Sequence, residues 1–223
     1  MQKRIERLDA QQGYDLWAKT YDQTPNLVVA MDGRHTVKLL APRAGEMILD
    51  AGCGTGRNLA PLLRAGSYAI GLDFSRGMLA IAARNHPDVP LAVADLHRPL
   101  PFRSASFDAV LCGLIGEHLN DLNVVSREFH RVLKLGGRLI FSAYHPAMAE
   151  AGKEANFELS GIEYRLGAVA HSVKAYEDSI LSAGFCGLSR HEFSGDLQLV
   201  DLVPAAVKYL DFPVLLVIEA SRQ

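Results

Sequence analysis

Strand-length apolar runs alternate with helical patterns along most of the chain, and this alternation constrains the possible fold more than any other feature. The runs are EMILDA (46 to 51), YAIGLD (68 to 73), PLAVAD (90 to 95), FDAVLCG (107 to 113) and GRLIFSAY (137 to 144). Alternation of this kind predicts parallel strands joined by crossover helices. Because the runs are almost continuously apolar, we expect an α/β sheet covered by helices on both faces.

The spacing of apolar residues between these runs predicts the crossover helices. They are predicted at about 56 to 66, 76 to 85 and 121 to 135. In the last of them Leu122, Val125 and Phe129 recur at three- and four-residue spacing, which indicates one buried face. The pair of glycines at 136 and 137 should end that helix.

The segments that flank the core pattern are harder to interpret. Helix-like stretches at about 9 to 20 and 34 to 41 predict an N-terminal cap over residues 1 to 44. Residues 146 to 171 are small and polar with no clear period, so they are interpreted as an irregular, lid-like insertion. A further helix and two strands, near 186 to 194 and 213 to 220, complete the pattern. No repeat or low-complexity linker interrupts it, so we expect one domain over residues 1 to 223.

Charge and hydropathy exclude several classes of partner. Lysine and arginine total 23 and aspartate and glutamate 25, which gives a net charge of −2 and no basic footprint for nucleic acid. The longest apolar runs fall short of the ~20 residues of a membrane span, and the first residues lack the apolar segment of a signal peptide. The three cysteines suit neither a disulfide framework nor a zinc site. We therefore expect a cytoplasmic protein with no metal, no membrane partner and no nucleic-acid partner.

A glycine-rich loop, LDAGCGTGRN at 49 to 58, joins the first predicted strand to a helix. Glycines at 52, 54 and 56 allow a close approach of the backbone to a ligand. The pyrophosphate fingerprint needs two residues between its second and third glycines, whereas one separates Gly54 from Gly56. The carboxylate of Asp50 would also repel a pyrophosphate. The loop instead suits a ligand that carries an amino group and a positive charge.

Two more acids stand at the ends of the next two strands. Asp73 can accept hydrogen bonds from both ribose hydroxyls of a nucleoside. Asp95 can accept from the amino group of adenine, while the backbone of Leu96 serves a ring nitrogen. Taken alone, Asp73 could be the N-cap of the following helix. Taken together, Asp50, Asp73 and Asp95 predict one crevice at the carboxyl edge of the sheet.

The successive segments LDAGCGTG, GLDFSRGML, ADLHRPLPFRSASFDAVLC and RVLKLGGRLIFS resemble the signature motifs of class I S-adenosylmethionine-dependent methyltransferases, especially the small type-11 group. The resemblance is close over about residues 14 to 145. It implies a Rossmann-like sheet of seven strands in the order 3-2-1-4-5-7-6, with the last strand antiparallel. It also implies S-adenosyl-L-methionine as the cofactor.

The same resemblance implies roles for particular residues. YDLWAKTYD, at 14 to 22, is similar to the segment whose tyrosines close over the methionine end of the cofactor in that group. The loop acid and glycines would contact the methionyl part, Asp73 the ribose, and Asp95 with Leu96 the adenine. The expected cofactor-binding residues are Tyr14, Tyr21, Asp50, Ala51, Gly52, Gly54, Gly56, Asp73, Phe74, Asp95 and Leu96.

Three residues are candidates for the chemistry of methyl transfer. His118 follows the fourth strand and His145 the fifth, so both should project at the cofactor edge as a base or a hydrogen-bond donor. Tyr21 could cap the transfer site. The structural alternatives are a helix-start contact of His118 with Asp121 or with backbone, a loop contact of His145, and ordinary packing of Tyr21.

The acceptor is constrained mainly by absent motifs. The Asn/Asp-Pro-Pro-Tyr signature of amino-group methyltransferases is missing, and the chain has CGLIGEHLND in its place. Gly113 removes a side chain where quinone-methylating members hold their acceptor, so a poor match to those members is expected. We predict methyl transfer to a small molecule, at oxygen, with carbon and nitrogen left open. The alternatives are a regulatory S-adenosylmethionine-binding protein, a dinucleotide-dependent oxidoreductase and an RNA-modifying enzyme.

Overall fold

A computed structural model of the chain describes residues 4–223. Its strands are β1 (Arg4–Arg7), β2 (Met47–Ala51), β3 (Tyr68–Asp73), β4 (Leu91–Val93), β5 (Phe107–Gly113), β6 (Leu133–Tyr144), β7 (Asn156–Leu159), β8 (Ile162–Arg165), β9 (Phe185–Ser194) and β10 (Pro213–Arg222). Seven of them form one sheet in the order β4-β3-β2-β5-β6-β10-β9, in which β10 is antiparallel to both neighbours. The predicted strand order and the antiparallel last strand are confirmed.

Helices cover both faces of this sheet. They are α1 (Ala10–Trp17), α2 (Leu27–Leu40), α3 (Leu59–Arg64), α4 (Arg76–Asn85), α5 (Leu122–Val132), α6 (Pro146–Glu150), α7 (Val173–Ser182) and α8 (Leu197–Leu202), with 3-10 turns at Tyr21–Gln23, Gly116–His118 and Pro204–Tyr209. Successive residues of β2 enter different cores: Leu49 packs with α5 and α7, and Ile48 packs with α2 and α3. The buried strand pattern of the sequence therefore reflects two separate apolar layers.

Some helices begin or end at other residues than the sequence predicts, because capping side chains and strand pairing set their boundaries. Asn26 accepts hydrogen bonds from the amides of Val28 and Val29, so α2 begins seven residues before the predicted start at 34. Asp121 caps α5 in the same way. That helix ends at Val132, and β6 starts at once with Leu133, because the chain passes into the sheet before it reaches the glycines at 136 and 137.

The expectation of an irregular segment over 146 to 171 is wrong. This stretch contains α6 and the hairpin β7–β8, which turns at Ser160 and Gly161, both with positive φ. Strand β1 pairs in parallel with β8 and completes a three-stranded sheet, so the N-terminal cap is not helical throughout. The sequence pattern missed these strands because each has four residues, too few for a clear alternation, and one of the two pairings is long-range.

This small sheet packs over α1. Trp17 stacks on Phe157 with ring centroids 4.9 Å apart, and Leu166 completes the buried cluster. The N-terminal helix and the insertion therefore form one structural unit beside the main sheet. Among residues 4–223, no helix is long and apolar enough to cross a bilayer.

Candidate cofactor and acceptor site

A cleft of about 850 Å³, part of it open to solvent, lies at the carboxyl edge of the parallel strands. The loops that follow β2, β3, β4 and β5 form its floor, and α1 with the turn at Tyr21–Gln23 forms one wall. Most of the residues predicted from the sequence meet here. Those that line the cleft are Tyr14, Tyr21, Gly52, Gly54, Asp73, Phe74, Asp95, Leu96 and His118, whereas Asp50, Ala51, Gly56 and His145 do not line it.

The glycine loop is fixed to the end of β3 by its own backbone. The amides of Gly52 and Cys53 both donate to the carbonyl of Leu72, at 2.7 and 2.9 Å. Gly52 has a φ of 80°, and an added Cβ there would lie 2.7 Å from Ile115 Cγ2. Glycine is therefore required at 52 both for its backbone conformation and for the close approach of Ile115.

Asp73 connects the loop to the next helix. Its Oδ2 accepts from the amide of Gly54 at 2.8 Å, and its Oδ1 accepts from the amide of Ser75 at 2.9 Å. The N-cap of α4 is Ser75, whose Oγ accepts from Met78 N, so the alternative of Asp73 as a helix cap is wrong. Burial raises the pKa of Asp73 against the opposing effect of these backbone hydrogen bonds.

Asp50 lies beneath the loop rather than in the cleft wall. Its side chain is fully buried. No hydrogen bond of normal geometry reaches either carboxylate oxygen among residues 4–223, although the Asn58 side chain is close enough to favour the ionised form. Burial raises the pKa of Asp50 to about 7, although the nearby Arg57 lowers it. A buried carboxyl without hydrogen bonds needs a partner or a functional reason.

Arg57 and Asp32 form an ion pair that the sequence interpretation missed. Arg57 Nη1 lies 2.7 Å from Asp32 Oδ2, and Asp32 on α2 is fully buried. Asp32 also accepts from the hydroxyls of Thr36 and Ser142. Arg57 lines the cleft. Its position directly after Gly56, the last glycine of the loop, was the sequence signal that could have identified it.

Tyr14 and His118 meet across the cleft. The hydroxyl of Tyr14 lies 2.9 Å from His118 Nε2. Burial raises the pKa of Tyr14 well above its usual range, so the phenol is neutral, and its O–H donates to Nε2 in the tautomer that carries the ring proton on Nδ1. Burial also lowers the pKa of His118 to about 4, so the imidazole is neutral near pH 7. The alternative contact of His118 with the Asp121 side chain is wrong, because Asp121 caps α5.

Glu117 stands behind this pair and was also missed. Its Oε1 lies 3.9 Å from His118 Nε2, and its Oε2 is buried without a hydrogen-bond partner among residues 4–223. Burial raises the pKa of Glu117 to about 7. Glu117 does not line the cleft itself, but a buried carboxyl with a pKa near neutrality beside a cleft residue is a candidate functional group.

The N-terminal segment is joined to the cleft by hydrogen bonds as well as aromatic contacts. Asp22 accepts from Thr55 Oγ1 at 2.8 Å, which ties the turn of Tyr21 to the glycine loop. Tyr14 stacks on Trp17 with ring centroids 5.9 Å apart. Burial raises the pKa of Tyr21 to about 12. Both tyrosines are thus held against the cleft as neutral phenols.

The prediction that His145 projects into the site is wrong. Helix α6 begins at Pro146, so His145 becomes its N-cap, and Nδ1 accepts from the amide of Ala147 at 3.1 Å. Nε2 lies 3.2 Å from Glu192 Oε2 on β9. Gly56 also lies outside the cleft, and a Cβ there would be 2.7 Å from the His86 ring.

Known proteins share both the sequence pattern and the fold. Residues 49–141 match the family described as a methyltransferase domain. A demethylmenaquinone methyltransferase of Streptomyces avermitilis is 36% identical over 141 residues, which is 61% of this chain and 61% of that relative. This chain thus spans less than two thirds of that relative's length. The expected poor match to quinone-methylating members is wrong over those 141 residues.

Solved structures agree with this match. An S-adenosylmethionine-dependent methyltransferase from Mesorhizobium loti superposes with a TM-score of 0.73 at 24% identity, covering 88% of this chain and 100% of that one. The [4+2]-cyclase SpnF superposes with a TM-score of 0.71 at 20% identity, covering 98% of each chain. The matched residues 49–141 contain the glycine loop, the acids that end β2 and β3, and His118. The chain is thus similar to S-adenosylmethionine-dependent methyltransferases, in sequence over residues 49–141 and in fold over most of its length.

Proposed function

We propose that the protein binds S-adenosylmethionine in this cleft and catalyses methyl transfer to an oxygen atom of a small-molecule acceptor. The observation that carries the proposal is the convergence of two groups of residues on one cleft. The glycine loop, Asp73 and Asp95 form one end, and the Tyr14–His118 pair forms the other. The first group suits a nucleoside with an amino-acid tail, and the second suits a hydroxyl group.

The cofactor end fits this ligand in charge and shape. Asp50 is fully buried below the loop and outside the cleft lining, so its carboxylate would act on the ammonium group of a methionyl tail by charge rather than by contact. Asp73 would accept from the ribose hydroxyls, and Asp95 with Leu96 would bind the adenine. The cofactor supplies a methyl group on a positively charged sulfur. Tyr14, Tyr21 and Phe74 would exclude water around that position.

The acceptor end supplies a path for a proton. A bound acceptor hydroxyl would give its proton to the Tyr14 oxygen as the Tyr14 proton moves to His118 Nε2. The imidazolium formed in this buried position would need a counter-charge, and the carboxylate of Glu117 stands 3.9 Å away. The reaction is an in-line displacement, so correct positioning of the acceptor oxygen provides most of the remaining acceleration.

This arrangement makes the pH dependence of turnover a test of Glu117. Besides His118, which is also neutral near pH 7, the titratable groups that interact with its charge all have raised pKa values and are neutral there too: Tyr14, Tyr21, Cys112, Tyr144 and Tyr176. Since the pKa of Glu117 is raised to about 7, its carboxylate forms as the pH increases through that value. We expect turnover measured from pH 5 to 9 to rise through about pH 7 and then level off.

The Glu117→Gln variant is the control for this profile. It keeps the shape of the side chain and removes the titrating charge, so its turnover should be flat over the same range. Its plateau should be lower by ~10-fold, corresponding to ~1.4 kcal/mol of lost stabilisation. A wild-type rate independent of pH, or an unchanged profile in Glu117→Gln, would exclude this role.

Two measurements test the function itself. Calorimetry should show binding of S-adenosylmethionine and S-adenosylhomocysteine and none of NAD or NADP. A turnover screen with methyl-labelled S-adenosylmethionine should then include phenols, quinones, carboxylic acids, thiols and amines, with the product identified by mass. Label found on carbon or nitrogen alone would exclude an oxygen acceptor. Binding of a nicotinamide dinucleotide would instead favour an oxidoreductase.

A second candidate is an S-adenosylmethionine-binding protein that does not transfer the methyl group. It is favoured by the likeness to a [4+2]-cyclase over 98% of the chain, because a shared fold does not fix the reaction. This candidate predicts cofactor binding without labelled product from any acceptor class. Product formation therefore separates the two functions.

A further inference from the structure

His97 joins the adenine end of the cleft to the loop that carries His118. It follows Asp95 by two residues and lines the cleft. Its Nδ1 lies 2.9 Å from Asp95 Oδ1, and its Nε2 accepts from the backbone amide of Asn120 at 2.9 Å. One imidazole thus contacts the loop after β4 and the segment after the turn Gly116–His118.

These contacts determine which ring nitrogen carries the proton. A backbone amide is always a donor, so Nε2, which faces the Asn120 amide, must be unprotonated. The proton of the neutral ring is then on Nδ1, where it is donated to Asp95 Oδ1. The orientation of the ring and its tautomer are therefore fixed together.

The two oxygens of Asp95 are consequently unequal. Oδ1 accepts twice, from the backbone amide and from the ring Nδ1 of His97, both at 2.9 Å. Oδ2 has the exposed Arg98 Nε at 3.8 Å, which is too long for a hydrogen bond. Burial would raise the pKa of Asp95, but the hydrogen bonds from His97 outweigh it and lower the pKa. The carboxylate stays ionised, with Oδ2 left as an acceptor.

We propose that His97 is a positioning residue that determines base specificity, because it fixes the Asp95 carboxylate so that Oδ2 accepts the 6-amino group of a purine. The cleft would then select adenine over hypoxanthine, whose 6-oxo group is itself an acceptor facing a carboxylate. This inference rests on the proposed function, since it requires the adenosyl ligand to bind at Asp95.

The test compares two ligands that differ at the base, S-adenosylhomocysteine and S-inosylhomocysteine. Calorimetry gives the ratio of their affinities for the wild type and for two variants. His97→Gln can still accept from the Asn120 amide but places no donor beside Asp95. His97→Asn keeps a donor close to the Nδ1 position and loses the contact with Asn120. Arg98→Gln is the matched control, because it removes the neighbouring charge and no hydrogen bond of Asp95.

We expect the wild type to prefer the adenosyl ligand, and His97→Gln to lose ~10-fold of that preference. His97→Asn should keep most of the preference, and Arg98→Gln should keep all of it. If His97→Gln weakens both ligands equally, or if neither His97 variant changes the ratio, the inference is wrong while the proposed function stands. Failure of the wild type to bind S-adenosylhomocysteine would overturn both. Thermal unfolding of each variant checks that the variant is folded at the temperature of the titration.

Discussion

Asp73→Ala is expected to weaken the binding of S-adenosylhomocysteine by 100-fold or more. The side chain is 7% exposed at the edge of the cleft, and it accepts from the amides of Gly54 and Ser75. Its removal would take away two charge-assisted hydrogen bonds to the ribose, at ~1.5 to 3 kcal/mol each. It would also leave the Gly54 amide of the cofactor loop without its acceptor. Calorimetric titration of the folded variant measures the loss.

A matched control separates ligand binding from local folding. Asp15 on α1 is exposed and outside the cleft, yet it holds the same turn, because its Oδ1 accepts from Ser75 Oγ and the amide of Gly77. Asp15→Ala should perturb the start of α4 and leave the affinity within a few-fold of wild type. If the two variants lose affinity equally, Asp73 acts through the turn rather than on the ribose. A folded Asp73→Ala protein with full affinity would exclude the assignment of the ribose site.

The cofactor end of the site could be predicted from the sequence because its position follows from topology. Strands that are parallel end at one edge, so Asp73 and Asp95 had to lie near each other once β3 and β4 were recognised as parallel neighbours. The glycine loop carries its own local signal, since three positive φ values in five residues need glycine. In this part of the chain, local pattern and strand order were sufficient.

The acceptor end could not be predicted in the same way, because it depends on side-chain direction. His118 and His145 follow neighbouring parallel strands, β5 and β6. From topology alone, both would be expected at the cleft. They differ because the 3-10 turn after β5 holds His118 beside Tyr14, whereas Pro146 starts a helix that uses His145 as its cap. No spacing in the sequence distinguishes these outcomes.

The residues that the sequence interpretation missed share one property. The contact of His97 with Asn120 and the ion pair of Arg57 with Asp32 each join segments that are far apart in the chain. Glu117 lies 3.9 Å from its sequence neighbour His118, and its buried Oε2 has no hydrogen-bond partner among residues 4–223, so no long-range pair marks it either. Burial, which gives Glu117 its raised pKa, is a property of the assembled fold and has no local signature.

His118→Ala should lower turnover by ~10² or more and leave the affinity for S-adenosylhomocysteine within a few-fold. His118 Nε2 is the proposed acceptor of the Tyr14 proton, and no other nitrogen base among residues 4–223 is hydrogen-bonded to that hydroxyl. Tyr14→Phe removes the donor of the same hydrogen bond, so the two losses should not add in the double variant. The readout is the rate with saturating S-adenosylmethionine and an acceptor found in the screen.

His145→Ala provides the comparison, because the same change is made at the end of the neighbouring strand. It should keep full turnover, since His145 does not line the cleft, and it should cost ~0.5 to 2 kcal/mol of stability through loss of the α6 cap. If both alanine variants keep full turnover, the Tyr14–His118 pair takes no proton. Catalysis would then depend on the placement of an already ionised acceptor beside the methyl group, which is the alternative that a positioning mechanism allows.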